Sequence, residues 1–116
     1  MAFVLEDLKT STFEWKVEFE IPQNGYRSKH DFNAVFKRIS QSEYEELNRK
    51  QKEEGYPDNS VVKDIMVGWS NMLDPENKEV PFTKKNLDKL LDILGMAAYI
   101  IKAFCNAHAG ELKEKN

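Results

Sequence analysis

The residue types that most often carry out chemistry are sparse in this sequence: one cysteine, Cys105, and two histidines, His30 and His108. Cys105 and His108 are three positions apart, a spacing that brings two side chains together on one helix face. Such a pair would be a nucleophilic thiol with its imidazole base, which also needs an exposed, electropositive setting. Cys105 instead closes the apolar helical pattern MAAYIIKAFC, the ordinary place for a small buried thiol. A metal site needs three or four converging ligands, and the histidines lie far apart in the chain. The segment Asp74-Pro75-Glu76-Asn77-Lys78-Glu79 offers acidic oxygens but lacks the glycine and final glutamate of a calcium loop. It reads as a surface turn with Pro75 at the second position. The glycine-rich phosphate and dinucleotide motifs and the nucleophile elbow are missing as well. No catalytic, cofactor-binding or metal residue can be nominated, and a non-enzymatic protein is expected.

What remains is a chain built to fold and to touch other chains. Its 116 residues suffice for one domain with one core, and residues 1–116 are expected to form it, with residues 1–10 and 109–116 frayed. Hydrophobic residues make up 41% and charged residues 32%, the balance of a soluble globular protein. Seventeen Lys and Arg against 20 Asp and Glu leave a net charge of −3, which argues against a nucleic-acid partner. A single cysteine forms no intrachain disulfide, so no oxidising compartment is implied. The beginning, MAFVLEDLKT, is acidic by Glu6 and does not resemble a signal peptide. The longest uninterrupted apolar run, MAAYII, is far below a membrane span, so no membrane partner and a cytoplasmic location are expected.

Phe13, Trp15, Val17, Phe19 and Ile21 alternate with charged residues, the pattern of a half-buried antiparallel strand. Pro22, Asn24 and Gly25 mark a turn, and Phe32, Ala34 and Phe36 alternate again, completing a hairpin. A hairpin alone is marginal in water, so helices must cover it. Ser40/Glu43 and Ser42/Glu45 are overlapping capping boxes for a charged surface helix, with Glu45–Arg49 and Glu46–Lys50 as expected pairs. Residues 55–60 read as a loop. Val61, Val62, Ile65, Met66 and Trp69 then fall at helical spacing after Ser60, with a β-branched strand as the competing reading. Thr83 caps a helix whose Leu87, Leu90, Leu91 and Leu94 lie on one stripe. Gly95 is a stop or bend, and a last helix runs from Met96 to about His108. The fold expected is α+β: an N-terminal antiparallel β-hairpin or small sheet packed against three to four helices, the last two forming a C-terminal helical pair.

Residues 67–87 hold the densest pattern in the chain. Trp69 carries a large apolar surface and an N–H that needs a partner, Asp74-Pro75-Glu76-Asn77 reverses the chain, and Pro81 holds Val80 extended. Trp69, Phe82 and Leu87 are thus expected to form a structural clamp joining the last helices to the rest; a Trp69 exposed as a binding anchor is the alternative. The last helix is apolar around more than one stripe. Met96, Tyr99, Ile100 and Ala103 are nominated as a partner or self-association face, against the alternative that this helix is simply the core.

The same segment carries a resemblance. Gly68-Trp69, Asp74, Val80-Pro81-Phe82-Thr83, Asn86-Leu87, Leu90-Leu91 and Ala98-Tyr99 resemble the tail assembly chaperones of long-tailed bacteriophages, over residues 61–107. Asn77 and Gly95 stand where such relatives often carry Gly and Pro. The resemblance implies a non-catalytic chaperone without cofactors that binds the tape measure protein and helps recruit tail tube protein. It also implies head-to-tail self-association along a helical client, and in several such families a longer frameshifted form. The alternative is a structural morphogenesis subunit of head–tail joining or tail-terminator type, retained in the virion.

Overall fold

A computed structural model describes residues 1–8 and 11–114 of the chain. A short 3-10 turn (Leu5–Leu8) precedes β1 (Thr12–Pro22), β2 (Arg27–Lys37), α1 (Gln41–Glu54), α2 (Asp58–Ile65), β3 (Met66–Ser70), α3 (Lys84–Leu91) and α4 (Met96–Glu114). The fold is α+β, as the patterning predicts.

β1 and β2 pair antiparallel in unbroken register from Thr12↔Lys37 to Pro22↔Arg27. That register sets Val17 opposite Phe32 and Phe13 opposite Phe36, so the apolar residues of both strands share one face. β3 adds antiparallel to β2, giving the order β1-β2-β3. Its register jumps between Val35 and Phe36: Gly68 stands opposite Val35, but Met66 opposite Phe36, which leaves Val67 as the extra residue. The jump has a packing consequence. Met66 and Trp69 are three apart and would face opposite sides of a regular strand; the bulge turns both toward the core face, where they neighbour Phe36 and Ala34. Val67 is left 46% exposed.

The core lies between this face and the helices. Val17, Phe32, Ala34, Phe36 and Met66 from the sheet meet Val61, Val62 and Ile65 of α2, Leu87, Leu90 and Leu91 of α3, and Met96, Ile100 and Phe104 of α4. α4 packs over β1 and against α2. Phe104 meets Phe36 edge-on with ring centroids 5.2 Å apart, and Tyr99 reaches Phe19 at 6.0 Å, so α4 tracks the length of the hairpin.

Several local expectations are corrected. Of the two capping boxes, the structure uses Ser40 with Glu43. Arg49 pairs with Glu46, Glu53 and Glu54 rather than Glu45, and the ammonium of Lys50 lies 5.1 Å from the ring centre of Tyr56. Residues 55–60 are not all loop: α2 begins at Asp58 behind Pro57, whose fixed φ and missing N–H suit a helix entry. Residues 61–69 are helix and strand in succession, since α2 stops at Ile65 and β3 starts at Met66. α3 ends at Leu91, so Leu94 leaves the leucine stripe. Gly95, at φ +80, turns the chain by about 100° between α3 and α4. α4 then continues past His108 and Gly110 to Glu114; an interior glycine weakens a helix without stopping it. Of the ends expected to fray, Lys9, Thr10, Lys115 and Asn116 lie outside the described residues.

Candidate functional site: an apolar cleft at the α3–α4 elbow

The groups that could have formed a catalytic pair are partnered separately. His108 Nδ1 donates to the Phe104 carbonyl one turn earlier (2.9 Å), and its ring sits against Phe13 and Phe104 at 5.2 and 4.7 Å. The Cys105 sulfur lies 3.9 Å from the Tyr44 hydroxyl. His30 contacts the Ser28 hydroxyl (2.8 Å) and stacks on Phe19. Asp74 spends a carboxylate oxygen on its own turn, accepting from the N–H groups of Glu76 (2.8 Å) and Lys78 (3.0 Å). Among the described residues no group of three or more His, Cys, Asp or Glu is arranged to hold a metal ion.

The 67–87 segment is a turn pinned from within. The Asn77 N–H returns to the Asp74 carbonyl (3.0 Å) around Pro75 and Glu76. Asn77 adopts φ +63, a left-handed conformation that asparagine tolerates better than most residues. Gly95 likewise has a positive φ, which a proline there could not adopt. The Trp69 indole N–H donates to the Val80 carbonyl (2.7 Å), and its ring meets Phe82 edge-on at 4.8 Å. Thr83 caps α3 through the Asn86 N–H (3.1 Å), while the Asn86 side-chain amide donates to the Pro81 carbonyl (2.9 Å). Leu87 is buried in the core, and Trp69 and Phe82 pack against it half-buried. Trp69 and Phe82 are thus in ring contact, and with Leu87 they border the same core cluster.

The nominated partner face on α4 is divided. Met96 and Ile100 are fully buried and Ala103 nearly so, all turned inward onto the core. Of the four, only Tyr99 is half-exposed. Tyr99 borders an open cleft of about 700 Å³ that sequence reasoning missed, walled by Phe19, Ile21 and Pro22 of β1 and by Ile93, Leu94 and Ala98 at the elbow. Leu94 is 99% exposed and Ile93 43% exposed. The cause is local: α3 ends, Gly95 turns left-handed, and the two residues between fall on no helical stripe. Gly95 was the available signal, because a stop there removes Ile93 and Leu94 from the leucine face. The rim is charged with both signs: Arg27 and Glu20 face each other at 3.6 Å, and Lys102 stands on the α4 side. An apolar floor with a mixed polar rim can receive an amphipathic segment and orient its charged flank.

No curated protein and no solved structure shows significant similarity to this chain. The family model described as phage tail assembly chaperone matches residues 1–116, adding the β-rich first third to the segment that carries the sequence resemblance. The chain therefore belongs to the phage tail assembly chaperone family.

Proposed function

We propose that this chain binds the tape measure protein in the bacterial host cytoplasm, shields its apolar helical surface, and helps bring tail tube protein to it, without catalysing a reaction. The observation that carries this reading is Leu94, a leucine 99% exposed beside Ile93 at the mouth of a cleft floored by β1 and α4. Covering a leucine side chain fully stabilises a contact by roughly 1.5–3 kcal/mol. One such contact is weak; many copies on one long helical client would hold together by their number. Repetition along a helix requires head-to-tail contacts between unlike surfaces of neighbouring copies, which wind into an open spiral. A client helix would set its i, i+3, i+4 and i+7 side chains along the cleft. The thiol and imidazole, each held by a different neighbour, support a binding role rather than a nucleophilic one.

Co-expression with the tape measure protein tests this. The expected result is more soluble tape measure protein and a complex carrying several copies of this chain. Unchanged solubility with nothing co-purifying contradicts the proposal. Virions purified after infection should lack the chain, whereas a structural morphogenesis subunit would remain in them.

A further inference from the structure

α1 is 14 residues long and buries none of them. What makes it helical is internal. Ser40 and Glu43 close both halves of the capping box (3.1 Å each), and Gly55, left-handed at φ +67, donates its N–H to the Lys50 carbonyl. Arg49 ties Glu46, Glu53 and Glu54 together along the surface. These contacts all survive if the helix moves as a body.

Its fastenings to the rest are few. Leu47 is the α1 side chain that packs, half-buried, against the core cluster. Tyr44 reaches α4 through the 3.9 Å approach of its hydroxyl to the Cys105 sulfur, a weak pairing. Gln51 donates to Asp58 (2.7 Å) and to the Tyr56 carbonyl (3.4 Å), and the Lys50 ammonium stands 5.1 Å from the centre of the Tyr56 ring. These contacts tie the end of α1 to the following link and the first turn of α2. Open space undermines the helix on two sides. A cleft of about 280 Å³ separates its first turn from Phe104, Cys105 and His108 of α4. Another, of about 390 Å³, runs between Leu47 and Lys50 on α1 and Lys37 and Asp64 on the body. A segment with strong local structure and few tertiary contacts opens as a unit well below the cost of global unfolding.

We infer that α1 is a latch: it swings off the body as an intact helix, hinged just before Ser40 and at Gly55, and uncovers the wall of α4 made by Phe104 and Cys105. Beyond the two hinges, Arg38 stays bonded to Ser11 and Tyr56 to Asp64. The wall lies at the middle of α4, and the cleft beside it shares no lining residue with the Leu94 cleft. The latch therefore does not depend on the tape measure reading, and either can fail alone.

Cys105, the sole cysteine, is a built-in reporter. The test is hydrogen exchange of the full chain alongside the alkylation rate of Cys105 by iodoacetamide. Amides of α1 should exchange as one block, at least ~100-fold faster than the protected core of α4 and β2. Leu47→Ala should raise both α1 exchange and Cys105 alkylation about tenfold, leaving core exchange unchanged. Should Leu47→Ala disturb the core, Tyr44→Phe provides the milder variant, with both rates rising together by a smaller factor. Exchange of α1 in step with the core overturns the latch. So does alkylation that stays constant while α1 exchange rises, or α1 exchange that frays from its ends rather than as a block.

Discussion

The rings of Trp69 and Phe82 meet at 78° with centroids 4.8 Å apart, although a strand end, a turn and an extended proline segment separate them in the chain. Edge-to-face geometry of this kind adds about 0.5–1.5 kcal/mol beyond the area it covers. The Trp69 N–H holds the same junction through the Val80 carbonyl. Trp69→Phe should lose that bond and some volume, lowering stability by about 1–3 kcal/mol. A double-mutant cycle of Trp69→Ala and Phe82→Ala in urea should give a coupling of about 0.5–1.5 kcal/mol. Additive losses would mean that the rings are neighbours without being a joint.

Leu94 and Ile100 are both large, apolar and near the elbow, yet their substitutions should differ sharply. Ile100 is fully buried, so Ile100→Ala should cost about 2–5 kcal/mol. Leu94 touches little in the folded chain, and Leu94→Asp should change stability by no more than about 0.5 kcal/mol. Urea midpoints followed by far-ultraviolet circular dichroism compare the two directly.

Gly68 belongs to the Gly-Trp pair of the family resemblance, but its surroundings do not demand glycine. A Cβ there would stand 3.5 Å from the Val35 Cβ and 3.6 Å from its Cγ2, an ordinary contact. Gly68→Ala should therefore leave stability unchanged or raise it by up to about 1 kcal/mol, since the unfolded chain loses freedom. A thermal melt decides, and a large loss would show that β3 uses the missing side chain.

Tyr56 donates its hydroxyl hydrogen to Asp64 at 2.6 Å, and that bond raises the phenol above its ordinary value of about 10. Because the folded value is the higher one, the contribution to stability is fully present below about pH 10 and fades as pH climbs through the raised folded value. Spectrophotometric titration should show Tyr56 ionising above its ordinary value, and Asp64→Asn should lower it.

The hairpin is legible in the sequence because strict alternation from Phe13 to Ile21 has only one structural solution. The start of α1 is equally readable from Ser40 and Glu43. β3 was harder, for a physical reason: a bulge at Val67 lets residues three apart share a face, so Met66 and Trp69 imitate helical spacing. The cleft was hidden by the same kind of coincidence. Leu94 stands at helical distance from Leu87, Leu90 and Leu91, and only the left-handed turn at Gly95 takes it off their stripe. Apolar character on α4 drew Met96, Ile100 and Ala103 into the nominated partner face, yet all three are buried, because periodicity alone does not separate a core helix from a docking face. The exposed site instead sits where helical periodicity breaks.

The central claim, that the elbow cleft receives an apolar helical client, is tested most directly by one comparison. Tape measure protein is co-expressed with the wild-type chain or with Leu94→Asp, and the amount recovered in soluble complex is measured. The account predicts a loss of at least ~10-fold with Leu94→Asp, because a buried carboxylate replaces an apolar anchor while the fold stays intact. Equal recovery with both chains would contradict it.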